Sequence, residues 1–287
     1  MSARRTLVLG GTGKTGRRVV ERLRSRGVPV RVGSRLGEPR FDWEDPTTWH
    51  DVAANVEAIY ITCYPNLAVP GAIDAIRSFT DLAVTTGVRR LVLLSGRGEP
   101  EARRGEEIVR LSGVEWTLVR ASWLNQNFSE RYFLEPLLAG EVALPAGNVG
   151  EPFVDADDIA DVAVAALTED RHQGRLYDLT GPRLWTFAEA VAEIASATDR
   201  DIRYVQVSIQ KYVSALRRAH VPSAFVGLLA YLFDEILDGR NANVTEGVMQ
   251  ALGRPPRDCA LYGRDTAHTG IWNVRREPST GTVGHLA

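Results

Sequence analysis

The stretch Leu7-Val8-Leu9-Gly10-Gly11-Thr12-Gly13-Lys14-Thr15-Gly16 begins as an apolar run and continues as a glycine-rich turn. Beyond it, Val19 and Leu23 lie on one helical face, and Gly27 marks the end of that helix. Residues 28–32 form a second apolar run. The order strand, glycine turn, amphipathic helix and strand is a βαβ unit, which predicts a parallel sheet.

Further apolar runs follow, and most are separated from the next by a segment with helical periodicity. Strands of a parallel sheet are covered on both faces, so they are apolar along their whole length. Runs of this kind, alternating with helices, are therefore typical of an open α/β sheet. The predicted strands after the first two cover residues 58–63, 91–94, 116–119 and 176–180.

After about residue 120 the sequence becomes rich in Trp, Phe, Asn and Pro, and residues 182–258 are mostly helical with one strand near 202–207. Open α/β sheets bind ligands outside the carboxyl ends of their strands, so these segments predict a cap over that edge. The predicted fold class is α/β: a Rossmann-type doubly wound parallel sheet with a smaller, mostly helical substrate-binding domain. The predicted boundaries are 1–150 for the nucleotide-binding domain, with 153–180 returning to it, 181–273 for the cap and 274–287 for a flexible tail.

Composition limits the partners of the chain. Of its 287 residues, 44% are hydrophobic and 24% are charged, and the net charge is -2 with both signs interspersed. There is no basic stripe for a nucleic acid, and no apolar stretch approaches the ~20 residues of a membrane span. Cys63 and Cys259 are far apart and lack neighbours at metal-ligand spacing. We expect a cytoplasmic protein that binds small molecules, without nucleic acid, membrane, disulfide or metal.

The glycine-rich turn has the spacing of a dinucleotide-binding loop. Absent side chains permit a tight turn and let the backbone approach a pyrophosphate, whose charge then meets the helix N-terminus. A Walker A loop also ends in Gly-Lys-Thr, but it requires a glycine where Val8 stands, so we reject that interpretation. The predicted cofactor-binding residues of the loop are Gly10, Thr12, Gly13, Lys14, Thr15 and Gly16.

The end of the second strand predicts which dinucleotide is bound. NAD-binding folds place a carboxylate there for the ribose 2′-hydroxyl, whereas this chain has Ser34 and Arg35. An arginine forms charge-assisted hydrogen bonds to the 2′-phosphate of NADP. Lys14, in the adjacent loop, would add a second positive charge. We therefore predict NADP(H) as the cofactor.

Several motifs together resemble those of the NmrA-like atypical short-chain dehydrogenases. The most distinctive is Phe41-Asp42-Trp43-Glu44-Asp45 with Trp49, which is similar to the ergot-alkaloid reductase branch of agroclavine dehydrogenase and festuclavine synthase. The resemblance covers most of residues 5–273 and implies a reductase that uses NADP(H). Other matching segments are the glycine loop, the Ser34-Arg35 step, and residues 91–95, 117–120, 153–160, 179–182 and 253–256.

The same resemblance implies which residues surround the cofactor and the substrate. Asp42 and Trp43 would flank the adenine, and a second group would pass along the adenosine. A third group would lie beside the nicotinamide, where the substrate wall begins. The adenosine group is Cys63, Tyr64 and Pro65; the nicotinamide group is Ser95, Gly96, Ala121 and Ser122; the wall begins with Trp123, Asn127 and Phe128.

The catalytic Tyr-x-x-x-Lys pair of ordinary short-chain dehydrogenases is absent from the chain. In that pair the tyrosine protonates the developing alkoxide and the lysine lowers the pKa of the tyrosine. If Glu107 takes the family's helix glutamate position, Glu99 and Arg103 stand where Tyr and Lys would be. Simple ketone or alcohol chemistry is therefore not expected.

Three functions tolerate the loss of this pair. An iminium carbon is already electrophilic and its nitrogen becomes a neutral amine on hydride addition, so no proton donor is needed. A quinone or an activated alkene also tolerates a weak acid, because the product enolate is stabilised. Alternatively, the chain is a non-catalytic NADP(H)-binding sensor that acts through a protein partner, as resemblance to NmrA allows. We predict an NADPH-dependent reductase of an imine, iminium or activated C=C bond in a hydrophobic specialised metabolite.

The sequence assigns no catalytic side chain. The weak candidates for proton transfer are Ser95, Glu99, Ser122, Tyr132 and Tyr64, each of which also suits a capping, surface or packing role. A dense aromatic set favours a flat substrate, because rings stack on rings. The helix after Gly71 is a candidate homodimer face and equally suits packing against the sheet. The aromatic set is Trp123, Phe128, Tyr132, Phe133, Phe153, Trp185, Tyr231 and Phe233; of these Trp123, Phe128, Tyr132 and Phe153, with Asn127, are the predicted substrate residues.

Overall fold

Six parallel strands form the central sheet of the computed structural model, which describes residues 5–274. The strands of the chain are β1 (Thr6–Leu9), β2 (Val30–Gly33), β3 (Ala58–Ile61), β4 (Arg90–Gly96), β5 (Glu115–Ala121), β6 (Glu141–Leu144), β7 (Arg175–Leu179) and β8 (Arg203–Gln206). The sheet has the order β2-β1-β3-β4-β5-β7. Because β2 lies on one side of β1 and the later strands of this sheet lie on the other, the connections reverse between β1 and β3, where such sheets bind ligands.

Helices cover both faces of this sheet. The helices of the described residues are α1 (Lys14–Ser25), α2 (Trp49–Ala53), α3 (Ala72–Thr85), α4 (Pro100–Arg110), α5 (Leu134–Ala139), α6 (Ala156–Thr168), α7 (Phe187–Thr198), α8 (Ile209–Arg218), α9 (Ser223–Tyr231), α10 (Gly247–Leu252) and α11 (Cys259–His268), of which α5, α7, α8, α9 and α11 belong to the second unit described below. Successive side chains of a strand point to opposite faces. Leu7 and Leu9 pack against Phe79 of α3, whereas Val8 packs in the cluster that holds Val19 of α1 and Val162 of α6. The predicted doubly wound α/β fold is confirmed.

A second unit surrounds an aromatic core of its own. Strands β6 and β8 pair in parallel as a two-stranded sheet, and α5, α7, α8, α9 and α11 contribute to the core around them. Phe187 is fully buried among the rings of Phe133, Phe153 and Phe233. This unit is the predicted small, mostly helical domain.

The core of the small domain includes residues that precede the predicted boundary at residue 150. Phe133, Leu137 and Val142 lie in the core of the small domain, because both faces of the large sheet are already filled by α1, α6 and α3. In the opposite direction, α10 returns from the small domain to the large one. Val248 of α10 packs in the same core cluster as Val8, and a side chain at Gly247 would collide with the carbonyl of Asp178.

The C-terminal part of the chain is anchored as far as Trp272. Its indole is fully buried and donates a hydrogen bond from Nε1 to the Phe128 carbonyl (2.9 Å). The predicted flexible tail lies, apart from Val274, outside the described residues. Helix α3 buries Ile76 and Phe79 against the sheet, so packing on the sheet explains its apolar face. Within residues 5–274, no helix is both long enough and apolar enough to cross a membrane.

Candidate cofactor and active site

The glycine loop between β1 and α1 is tightly closed on itself. Gly10 has φ +61°, a conformation that costs a glycine nothing, and its carbonyl accepts a hydrogen bond from the Gly13 amide (2.8 Å). Helix α1 is pressed onto this turn: a Cβ at Gly16 would lie 2.7 Å from the Gly10 carbonyl carbon and 2.9 Å from the Gly11 Cα. The loop therefore has the shape that lets a backbone approach a pyrophosphate.

The N-terminus of α1 is open to an anion. Its N-cap residue, Gly13, provides no side-chain hydrogen bond, and the first turn contains no acidic residue. The first amide groups of the helix are therefore available, and the helix dipole favours negative charge in front of them. Thr15 is turned inward, where its Oγ1 accepts a hydrogen bond from the Tyr60 hydroxyl (3.0 Å). These residues fit the pyrophosphate of a dinucleotide.

The turn after β2 presents Arg35 to solvent. The Ser34 carbonyl accepts hydrogen bonds from the Gly37 and Phe41 amides, which fold the chain back at this point. The Arg35 guanidinium has no carboxylate within ion-pair distance in residues 5–274, and its Cζ lies 5.7 Å from the centre of the Tyr64 ring. An exposed and unpaired guanidinium at this edge fits the 2′-phosphate of NADP.

Lys14 does not extend toward this phosphate position. Its Nζ donates a hydrogen bond to Asn127 Oδ1 (2.5 Å) and lies 4.7 Å from the centre of the Tyr132 ring. These two residues follow β5, on the opposite side of β1 from Arg35, so the Lys14 ammonium group does not lie beside Arg35 in this structure. Burial lowers the pKa of Lys14 to about 7. A bound pyrophosphate would raise that pKa again, because it supplies the missing negative charge.

The segment predicted to border the adenosine packs beside the end of β3. The Trp43 indole donates from Nε1 to the Thr62 carbonyl (3.1 Å), and its ring meets the edges of Phe41 and Phe79. Asp42 accepts a hydrogen bond from Arg40. Burial raises the pKa of the Cys63 thiol to about 12, so this thiol is neutral and is not a nucleophile.

The Ser95 hydroxyl at the end of β4 is hydrogen-bonded to a buried glutamate. Ser95 donates from Oγ to Glu106 Oε1 (2.6 Å), and Arg120 of β5 donates two hydrogen bonds to the same carboxylate. The expected position of this glutamate was Glu107, but Glu107 is exposed and pairs with Arg110. With Glu106 as the reference, the positions of the missing Tyr and Lys move one residue back. They are then Gly98 and Ala102, so the pair is absent in either alignment.

Glu99 is a buried acid beside the end of β4. Only 6% of the residue is exposed, its Oε1 accepts a long hydrogen bond from Asn66 Nδ2 (3.4 Å), and its Oε2 has no partner within residues 5–274. A side chain at Gly96 would collide with this carboxyl, so the acid lies directly against the backbone at the end of the strand. Burial raises the pKa of Glu99 to about 7. Such a group holds a proton at neutral pH and can release it.

A second buried acid, Glu151, was not expected from the sequence. It is fully buried, its Oε2 accepts a hydrogen bond from Ser122 Oγ (3.0 Å), and burial raises its pKa to about 7. Its backbone pairs with that of Trp185 in both directions, at the junction of the two domains. Pro152 separates Glu151 from the apolar Phe153 and Val154, and no periodicity in this segment marks Glu151 as a buried residue.

The raised pKa of Glu151 predicts a pH-dependent stability. Between the ordinary value of 4.5 and about 7, the folded protein binds more protons here than the unfolded chain, so stability falls as pH rises through that range. Glu151→Gln should remove this contribution, which we expect to be roughly 1–3 kcal/mol. Urea unfolding at pH 5 and pH 8 measures it. The difference between the two pH values should be smaller in the variant than in the wild type, whereas exposed Glu135→Gln should leave it unchanged.

The aromatic residues predicted to contact the substrate differ in their exposure to solvent. Trp123 and Tyr132 are half-buried, and Tyr132 packs near Phe225, which the sequence did not single out. Phe128 and Phe153 are enclosed in the aromatic core, with 0% and 1% exposure, so they present no surface to a substrate. In this structure both rings fill the core at the domain junction, a role for which a large aromatic side chain is equally suited.

These features define a dinucleotide-binding α/β protein. A family profile described as NAD(P)H-binding matches residues 10–170, which contain the glycine loop, the end of β2 and both buried acids. The chain belongs to this NAD(P)H-binding family, and it is similar to agroclavine dehydrogenase and to festuclavine synthases. The predicted resemblance and the predicted type of cofactor are confirmed.

Relatives extend over nearly the whole chain. Agroclavine dehydrogenase of Claviceps fusiformis is 26% identical over 287 residues, which cover 94% of this chain and 99% of the relative. The (4-alkanoyl-5-oxo-2,5-dihydrofuran-3-yl)methyl phosphate reductase of Streptomyces griseus subsp. griseus is 30% identical over 274 residues, covering 88% and 94%. Both relatives are oxidoreductases by name, which agrees with the class predicted for this chain.

Solved structures share the fold over both domains. The NADPH-dependent quinone oxidoreductase of Escherichia coli, in complex with NADPH, superimposes with a TM-score of 0.75 at 20% identity and covers 91% of this chain and 99% of its own. NmrA, a negative transcriptional regulator in complex with NAD, gives 0.72 at 17% identity, covering 94% and 97%. At these identities the likeness shows the fold alone.

Proposed function

We propose that the chain is an NADPH-dependent reductase of an imine, iminium or activated C=C bond in a flat, hydrophobic substrate. The observation that carries the proposal is the Glu99 carboxyl, buried against Gly96 at the carboxyl end of β4 with one oxygen unpartnered among the described residues. A dinucleotide held by the glycine loop lies along these strand ends. An acid that is protonated near neutral pH in such a place supports a reduction that requires a proton as well as a hydride.

The proton step is assigned to Glu99. An imine nitrogen takes the proton from the Glu99 carboxyl: the N–H bond forms, the O–H bond breaks, and the carboxylate remains as the counter-ion of the iminium. When bound, the reduced nicotinamide supplies the hydride to the iminium carbon, and the C=N π pair becomes the lone pair of the product amine. The Glu99 carboxylate then regains a proton from water. An iminium that is already charged bypasses the first step.

Aromatic side chains support a ring-shaped substrate. Trp123 and Tyr132 follow the end of β5, and Phe225 of α9 lies 6.3 Å from Tyr132 between ring centres. From the small domain, Tyr231 donates a hydrogen bond from its hydroxyl to Glu101 (2.8 Å), on the helix that begins beside Glu99. The half-buried rings of Tyr132 and Phe225 favour stacking, and a cationic substrate gains further from cation–π attraction.

The preference for NADPH rests on Arg35. Arg35→Gln should raise the Kd for NADPH by roughly 10–100-fold and leave the Kd for NADH unchanged, because NADH lacks the 2′-phosphate. Fluorescence titration with both cofactors measures the effect. Arg175→Gln, which removes an exposed arginine at the opposite end of the strands, should change neither Kd. Equal weakening of both cofactors by Arg35→Gln would contradict the assignment.

One experiment separates the candidate functions. A stopped-flow trace follows the NADPH absorbance of the purified protein after addition of a dihydroisoquinolinium salt, and a second trace follows simple quinones. Oxidation of NADPH by the iminium supports the proposal, whereas turnover confined to quinones favours a quinone reductase. The non-catalytic sensor is favoured by the Ser95 hydroxyl, which donates to Glu106 rather than toward a ligand. Tight binding without oxidation by either substrate would establish that alternative.

A further inference from the structure

Two arginines from distant parts of the chain meet at one tyrosine ring. The Cζ atoms of Arg131 and Arg35 lie 5.2 Å and 5.7 Å from the centre of the Tyr64 ring, and Arg131 Nη1 donates a hydrogen bond to the Tyr64 hydroxyl (2.8 Å). Arg35 follows β2, Tyr64 follows β3, and Arg131 follows β5. The three residues therefore span the carboxyl ends of the strands on both sides of the crevice between β1 and β3.

The charge at this place is not balanced by the described residues. Within residues 5–274, neither Arg35 nor Arg131 has a carboxylate within ion-pair distance, whereas Arg17 and Arg18 share Glu130. The charge of Arg131 also contributes to lowering the pKa of Lys14. Like charges that converge without an acid repel one another, and an anion between them removes that cost.

The backbone holds Arg131 beside the start of α1. Its neighbour Glu130 accepts hydrogen bonds from Arg17 and Arg18, in the first two turns of that helix, while Phe133 on the other side is fixed in the core of the small domain. Arg131 itself has φ +91°, a backbone conformation that residues other than glycine rarely adopt. Strain of this kind persists where the surrounding structure imposes it, and it is concentrated at ligand-binding sites.

We propose that Arg131 binds the pyrophosphate of the dinucleotide from the side opposite the glycine loop. On the side of the large sheet, the amide groups at the start of α1 would contact the phosphates. On the side of the small domain, the Arg131 guanidinium would contact the same phosphates. The planar guanidinium matches phosphate oxygens in two parallel hydrogen bonds, and Tyr64 orients it for that contact. The inference rests on NAD(P)H binding and not on the proposed hydride acceptor, so it is independent of the reaction.

Binding of NADPH and of NADH tests the proposal without turnover. Arg131→Gln should raise the Kd for both cofactors by about 10–100-fold, since both contain the pyrophosphate, and should weaken the salt dependence of binding. Arg131→Gly keeps the left-handed turn without the guanidinium and should give the same loss. Arg175→Gln is the charge-matched control and should bind as the wild type does.

Three outcomes would overturn the proposal. Unchanged affinity in Arg131→Gln means that the guanidinium does not contact the cofactor. A loss confined to NADPH assigns Arg131 to the 2′-phosphate instead. Normal binding by Arg131→Gly beside weak binding by Arg131→Gln assigns the effect to the strained backbone. Thermal unfolding of each variant without cofactor shows whether the fold is retained, so that weak binding is not mistaken for unfolding.

Discussion

Glu99→Gln is expected to lower the turnover of a neutral cyclic imine by roughly 10²–10³-fold, the usual size of a lost general acid. Glutamine retains the shape of the side chain and the contact with Gly96, but it has no proton to give. The same variant should reduce an N-methyl iminium salt at nearly the wild-type rate, because that substrate carries its charge before it binds. The contrast between the two substrates isolates proton transfer from cofactor binding and from folding.

The pH profile gives a second readout of Glu99. The protonated carboxyl is the active form, and its pKa lies near 7, so wild-type kcat/KM for the neutral imine should fall as pH rises through that value. The fall should be absent from the wild-type profile with the N-methyl iminium. Glu107→Gln, on the exposed face of the same helix, is the matched control and should behave as the wild type. Equal loss with both substrates in Glu99→Gln would contradict a role in proton transfer.

Strand β1 was predictable because it is apolar toward two covered faces. Val8 packs on one face of the sheet while Leu7 and Leu9 pack on the other, so the run contains no polar residue that would obscure its ends. The glycine loop was predictable for a related reason, since Gly10, Gly11 and Gly16 leave no room for a side chain. Both signals are local, and the sequence contains them in full.

The division of the chain between the two hydrophobic cores depends on contacts between residues that are far apart in the sequence. Aromatic content shows that Phe128 and Phe153 are buried but does not show which core receives them. Phe128 and Phe153 pack in the core between β6, β8 and α7, and much of that core is formed by residues that are distant in the sequence. The orientation of the Lys14 side chain likewise depends on a distant residue, because its ammonium group donates a hydrogen bond to Asn127, which lies 113 positions along the chain.

Helix α4 shows that an error of one residue in the alignment places the wrong side chain in the predicted site. Moving from Glu107 to Glu106 rotates the position by about 100° around the helix, from solvent to the buried face. Ala102 and Val109 define that face together with Glu106 at helical spacing, so the amphipathic pattern contained the correct register. Glu151, in contrast, follows an irregular segment where no periodicity marks the buried side.

Gly16→Ala is expected to abolish measurable NAD(P)H binding and to destabilise the protein by about 2–4 kcal/mol, since the added methyl group overpacks a site formed by backbone. The new Cβ would lie 2.7 Å from the Gly10 carbonyl carbon and 2.9 Å from the Gly11 Cα. Backbone atoms cannot rotate away as a flexible side chain can. Helix α1 must therefore move from the loop, which separates its first amide groups from the turn that positions the pyrophosphate.

Gly105→Ala is the control that makes the prediction specific. It makes the same chemical change in the interior of α4, where the nearest atoms to the added Cβ are side-chain carbons of Leu67 and Ile73 at 3.6–3.7 Å. That is an ordinary contact distance, and alanine is the better helix former, so this variant should be unchanged or more stable by roughly 0.5–1 kcal/mol. Urea unfolding and fluorescence titration measure both variants. If Gly16→Ala bound NADPH with the wild-type Kd, the close approach of α1 to the loop would have no part in holding the cofactor, and the helix N-terminus could not be its pyrophosphate site.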